Sequence, residues 1–300
     1  MSLNLENTLV VGISSRALFD LEEANKIYEE KGLREYSKYQ IENEKVILKP
    51  GSGFQLVKAL HNLNTITDGR RLTEIVIMSR NSADTSLRVF NSIEHYGLDI
   101  TRAALVGGGN MAPYLEAFNT DLFLSANEED VKEAVNANVA SGLICTDSNF
   151  NIDTSKPIDK IKIAFDGDAV IFSDESERIY KEKGLEAFIE HEKKNANNPL
   201  PEGPFAKLLK TISFIQREFG ENAPIRTALV TARNSLAQER VIRTLMAWDV
   251  RVDEAFFLGG VEKSKVLESF GANIFFDDQY VHVNPASKVV PSARVPYKGE

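Results

Sequence analysis

Two aspartates one residue apart close an apolar run in Lys162-Ile163-Ala164-Phe165-Asp166-Gly167-Asp168. If the run is a strand, both carboxylates leave together at its carboxyl end, where open α/β sheets hold ligands. One aspartate can attack as a nucleophile while the other moves protons, and the pair can help to hold a divalent cation. That is a phosphoryl-transfer arrangement, and it needs three further pieces. All three follow in order, each after an apolar run: Thr231 after Leu229-Val230, Lys263 just past Gly259-Gly260, and Asp277-Asp278 after Ile274-Phe275-Phe276. Asp166 would form an aspartyl-phosphate. Asp168 would protonate the leaving alkoxide and then take a proton from the attacking water. Thr231 and Lys263 would hold the phosphoryl oxygens, where charge develops in transfer. Mg²⁺ prefers oxygen ligands and keeps several waters, so Asp166, the carbonyl of Asp168 and Asp277 would suffice, with Asp278 close behind.

These residues act together only if a sheet brings their strand ends to one edge. Short, nearly all-apolar runs fall at 161–165, 226–230, 255–258 and 274–276, and again at 9–13, 75–78, 103–106 and 122–124. Such runs suit strands buried on both faces of a parallel sheet. Between them, Phe205, Leu208, Leu209, Ile212, Ile215 and Phe219 recur at helical spacing behind Pro204. Strands alternating with helices predict an α/β, doubly wound, Rossmann-like architecture.

The two sets of runs repeat one plan. Ile27-Tyr28-Glu29-Glu30-Lys31-Gly32-Leu33 returns as Ile179-Tyr180-Lys181-Glu182-Lys183-Gly184-Leu185, an offset of 152 residues (179 − 27). The same offset pairs Gly51 with Gly203 and Gly107-Gly108 with Gly259-Gly260. It predicts an internal duplication, 1–152 and 153–300, joined through the polar stretch 149–157. At this offset Asp166 corresponds to Ser14, Asp168 to Arg16, Thr231 to Ser79, Lys263 to Met111, Asp277 to Ser125 and Asp278 to Ala126. The first half keeps the scaffold without the carboxylates or the lysine, so one active site per chain is expected, in the second half. Arg16 could bind an anion in the first.

Composition narrows the partners. Hydrophobic residues make up 43% and charged residues 26%, with a net charge of −9 and no long basic run. Those values speak for a globular protein and against nucleic acid or an anionic membrane as the main partner. Cys145 is the only cysteine, so intramolecular disulfides and thiolate metal sites are excluded. The start of the chain lacks a basic region, and its first apolar run is too short to span a membrane, which predicts a cytoplasmic location.

Asp-Gly-Asp followed by Thr, Lys and Asp-Asp at successive strand ends resembles the haloacid dehalogenase (HAD) superfamily of phosphohydrolases. The run from Phe165 to Arg178, Val230-Thr231-Ala232-Arg233 and Phe276-Asp277-Asp278-Gln279 are similar to the cytosolic 5′-nucleotidase type I family, as are Ser14 to Asp20 and Asn91 to Tyr96. The resemblance covers nearly the whole chain. It implies two tandem HAD-like units and Mg²⁺-dependent hydrolysis of nucleoside 5′-monophosphates in the cytoplasm, with a homo-oligomer among the implied partners. Where relatives have Pro-Lys-Gly-Pro, this chain has Glu262-Lys263-Ser264-Lys265, so Lys265 stands as the alternative to Lys263. The superfamily usually inserts a cap between the first two catalytic elements, here the segment 172–203. Phe172 could stack on a base or pack in the core, and Ser173, Arg233 or Asn234 could reach sugar or phosphate. His191 beside Glu192 reads as a surface helix residue, and the proline-containing tail after Tyr280 as a strap over a neighbouring surface or a partner chain. A sugar-phosphate phosphatase and a non-catalytic nucleotide sensor are the rival readings.

Overall fold

The computed structural model describes residues 8–66, 71–146, 160–233 and 238–297. Its ten strands are β1 (Leu9–Ile13), β2 (Thr73–Ser79), β3 (Arg102–Leu105), β4 (Leu122–Ser125), β5 (Ala140–Ile144), β6 (Ile161–Phe165), β7 (Ile225–Thr231), β8 (Glu254–Phe257), β9 (Ile274–Asp277) and β10 (Ser292–Arg294). They form one sheet in the order β3-β2-β1-β4-β5-β10-β9-β6-β7-β8. All eight apolar runs are strands, within two residues at each end. The protein is therefore α/β, with helices packed on a mostly parallel sheet whose strands β1, β2, β4 and β9 are buried along their whole length.

The sheet is continuous, where two separate sheets were expected. The ladder between β5 and β10 is antiparallel, and every other ladder is parallel. The carboxyl ends of β1–β5 therefore lie along one edge and those of β6–β10 along the opposite edge. At the junction Gly142 is obligatory, because a Cβ there would lie 2.9 Å from the Cβ of Ala293 and 3.0 Å from the ring of Phe276. β6 follows β1, β7 follows β2, β8 follows β3 and β9 follows β4 at the same 152-residue spacing as the sequence repeat. The predicted join at 149–157 lies outside the described residues.

The tail is corrected. It does not strap a surface: after the helix Tyr280–Ala286 it enters the sheet as β10, paired with β9 on one side and β5 on the other. The helix Ala206–Phe219 buries Leu208, Leu209, Ile212 and Ile215, the face its spacing predicts, and leaves Lys207 and Arg217 exposed. Two long helices, Glu22–Glu42 and Glu175–Lys194, bend at Gly32 (φ 80°) and Gly184 (φ 82°), where a left-handed φ favours glycine. Among the described residues no helix is long and apolar enough to cross a membrane.

Candidate active site

Register assembles the site. Phe165 of β6 pairs with Phe276 of β9 and with Leu229 of β7, so Asp166, Asp277 and Thr231 all emerge at one edge of the sheet. The Asp166 N–H donates to the Phe276 carbonyl at 2.8 Å, which fixes the start of the turn. Lys263 enters from the loop after β8, just ahead of the helix Ser264–Phe270, and is 2% exposed. Its ammonium donates to Asp166 Oδ1 at 2.5 Å and to Asp277 Oδ2 at 2.6 Å. Burial works against that charge, but Asp166 and then Asp277 outweigh it and hold the lysine above its usual range. Lys265 is exposed on the same helix, which decides between the two lysines as to which lies in this cluster. Burial pushes the Asp166 carboxyl up to about 7, and Asp277 and Asp168 add to the shift against the pull of Lys263.

Asp168 is set differently. The five residues Gly167–Ile171 form a π-type turn in which Asp168 takes an extended backbone and Ala169 a positive φ of 61°. A left-handed conformation in an alanine is strained, and strain of this kind gathers at sites of function. The turn hands the Asp168 carboxylate to Arg233, whose Nε and Nη2 donate to its two oxygens at 2.8 and 2.5 Å. Arg233 Nη1 reaches Glu192 at 2.5 Å, and Glu192 accepts in turn from Arg240 at 3.0 Å and Ser176 at 2.9 Å. Burial opposes the Arg233 charge, but Asp168 and Glu192 more than offset it. Glu192 and Arg240 were not legible as site residues, although the sequence does set Glu192 beside His191.

Asp278 lies behind Asp277. Its Oδ2 is 2.5 Å from the Tyr297 hydroxyl, which is also 2.9 Å from Glu177. One phenolic proton cannot serve two carboxylates. Burial, with Asp166, Asp277 and Glu177, pushes the Asp278 carboxyl up to about 9. Its Oδ1 is buried with no hydrogen-bond partner among the described residues. Both oxygens of Asp277, by contrast, are engaged, by Lys263 and by the Gln279 N–H at 2.9 Å.

No group of three or more His, Cys, Asp or Glu among the described residues is arranged to hold a metal ion. The Lys263 ammonium sits between two of the acids that would. Mg²⁺ needs only one or two carboxylates beside its waters. The orphaned Asp278 oxygen and the mutual crowding of Asp166, Asp277 and Asp278 are the features a hard cation would relieve, so the residues fit one.

A cluster of buried carboxylates, a lysine and a threonine on one strand edge suits phosphoryl transfer, and comparison with known proteins specifies it. A family model described as 5′-nucleotidase matches residues 1–300. The chain belongs to the 5′-nucleotidase family. It is 39% identical over 295 residues to human cytosolic 5′-nucleotidase 1B, an alignment covering 95% of this chain and 48% of that protein. The chain thus spans about half the length of this curated relative. Among solved structures, a histidinol dehydrogenase from Elizabethkingia anophelis overlaps with a TM-score of 0.22 at 9% identity, covering 97% of this chain and 74% of that one. So low a score carries no argument.

The remaining expected residues of this 5′-nucleotidase family member fall as follows. Thr231 is buried at the end of β7, and its hydroxyl accepts from the Arg233 N–H at 3.2 Å. Phe172 is fully buried with its ring 5.6 Å from that of Trp248, the packing alternative rather than the stacking one. Ser173 is half-buried and accepts from the Glu175 N–H at 3.4 Å at the start of a helix. Arg233 is engaged by Asp168 and Glu192 and packs over the Phe188 ring. Asn234 lies outside the described residues. His191 is half-buried and pairs with Glu175 at 3.1 Å.

Proposed function

We propose that this protein hydrolyses nucleoside 5′-monophosphates to nucleoside and phosphate, through an aspartyl-phosphate on Asp166 and with Mg²⁺ in the site. The observation that carries the reading is the buried Lys263 bridging Asp166 and Asp277 beside Thr231 at the carboxyl edge of β6, β7 and β9. A lysine and a hydroxyl placed against a carboxylate nucleophile can clamp the oxygens of a transferring phosphoryl group. The Asp166 carboxylate attacks phosphorus and the ester P–O bond breaks, with Asp168 giving its proton to the departing 5′-oxygen. Asp168 then takes a proton from water as the water displaces the Asp166 carboxylate, and phosphate leaves. Asp166, the carbonyl of Asp168, Asp277 and Asp278 are the ligands we assign to Mg²⁺. When bound, the cation neutralises charge on the phosphoryl group and on the crowded acids.

Arg233 acts in this scheme as a positioning residue that fixes the Asp168 carboxylate. Ser173 and Asn234 are the candidates to meet sugar or phosphate, and the helix Glu175–Lys194 is the cap. The equal spacing of β1–β4 and β6–β9 supports two duplicated units, 1–152 and 153–300, with the chemistry in the second. The relative's name supports a cytoplasmic setting.

Phosphate release from nucleoside monophosphates and sugar phosphates, with Mg²⁺ and again with EDTA, tests the proposal beside Asp166→Asn. Nucleotide turnover that vanishes in the variant and with EDTA is the expected result. Turnover confined to sugar phosphates would remove the substrate assignment and keep the mechanism. Nucleotide bound without turnover would leave a sensor.

A further inference from the structure

The carboxyl edge of the first half encloses a cavity of about 320 Å³, on the opposite edge of the sheet from Asp166. We infer that this cavity is a second nucleoside-monophosphate site, one that binds its ligand without hydrolysing it; the ligand class rests on the nucleotide reading above.

The walls carry several hydrogen-bond donors. Ser14 stands where Asp166 stands in the second half: its N–H donates to the Leu124 carbonyl, as that of Asp166 does to Phe276. The Ser14 Oγ already accepts from the N–H groups of Ala17 (3.2 Å) and Ala126 (3.3 Å). With both lone pairs used, what this hydroxyl can offer a ligand is its proton. Asn81 accepts from the Tyr36 hydroxyl through Oδ1, which leaves its Nδ2 as a donor, buried with no partner among the described residues. The Ser15 and Ser79 hydroxyls face each other at 3.0 Å beneath them.

Charge completes the pattern. Arg16 lines the cavity at the position of Asp168, where the second half carries the opposite sign, with its Nε and Nη2 donating to Glu22 at 2.7 Å each, and Arg80 lines it too. Asp130 is the one carboxylate in the lining among the described residues, and it is taken by Arg80 Nε at 2.6 Å. Guanidinium groups flanked by hydroxyl and amide donors suit an oxyanion such as phosphate, which would compete with Glu22 and Asp130 for them. The rings of Tyr28 and Tyr36, in T-shaped contact at 5.9 Å, supply an aromatic wall for a base, and the volume is that of a small-molecule site.

Turnover is absent for a local reason. Ser14 has no lone pair left with which to attack, Ser125 replaces Asp277, and the buried Met111 replaces Lys263. The smaller neutral set Asn81, Tyr36 and Gln40 stands where the second half packs Arg233, Phe188 and Glu192.

Equilibrium dialysis of AMP against the full chain carrying Asp166→Asn counts the sites. Two molecules per chain are expected, falling to one when Arg16→Glu or Ser79→Asp is added, with the affinity of the remaining site unchanged as the internal check on folding. A single site indifferent to both substitutions, or no binding at all, would overturn the inference. If instead the nucleotide reading of the second half fails, one site is still expected, lost with Arg16→Glu and insensitive to Lys263→Met.

Discussion

Lys263 is held by two carboxylates, and they by it. Removing one partner of a buried ion pair costs about 3–5 kcal/mol, because the charge left behind is uncompensated. The first half shows the alternative solution, with methionine at this position and serines in place of Asp166 and Asp277. Lys263→Met is therefore expected to abolish turnover and to lower stability by about that amount. Adding Asp166→Ser and Asp277→Ser should restore a large part of the loss, because the orphaned charges go with them. Urea unfolding of the single, double and triple variants at neutral pH checks this, and independent additive losses would contradict it. Arg233 poses a different question, since it touches Asp168 through two parallel bonds. Arg233→Lys keeps the charge and loses the fork. A misplaced catalytic group can cost about 10²-fold in rate, so kcat should fall on that order with KM nearly unchanged. A rise in KM alone would return Arg233 to substrate binding.

The elements were legible where pattern was local. Each of the eight runs of three to five residues became a strand, and the Thr, Lys and Asp-Asp pieces followed from their strand ends. β10 was not legible. It is three residues long, it includes Ser292 and Arg294, and it exists because β9 and β5 flank it; no local periodicity encodes that. The Arg233–Glu192–Arg240 chain was hidden for the same reason: its members are far apart in sequence and meet only through packing. At element scale the repeat makes its own prediction at the loops that enter β4 and β9. Asp121 clamps β1 by accepting from the Val10 N–H at 3.0 Å, and Asn273 does the same for Lys162 at 2.7 Å. Burial holds the Asp121 carboxyl above its usual range, against the pull of the Val10 N–H and Lys207. A raised carboxyl means that the unfolded chain releases this proton first, so stability falls as pH rises from the unfolded pKa through the folded one. Asp121→Asn removes the titration and keeps the clamp. It should be more stable than the parent at about pH 7, and the gain should shrink towards pH 4, near the ordinary carboxyl range. Thermal unfolding across that interval measures it, and an equal gain or loss at every pH would refute the assignment.

At the scale of the molecule, two half-sheets running in opposite directions pair only through β5 and β10, so each half hides the other's edge. The ladder is short, but Gly142 brings the backbones close over Ala293 and Phe276, and Arg294 reaches Glu128 across the junction at 3.4 Å. An unpaired edge strand is a template for another chain. Residues 153–300 expressed alone carry all the proposed catalytic groups, but they expose β10, and three residues after β10 comes Tyr297, which holds Asp278 and Glu177. The edge and the site are thus linked through a few residues of one tail. The isolated second half is expected to self-associate through β10 and to lose most of its turnover, and co-expression with 1–152 should recover both the size of the intact chain and its activity. Light scattering with an assay on the same fractions reads both. A monodisperse, fully active second half would mean that β10 needs no neighbour, and that the first half is carried for its own ligand rather than for the sheet.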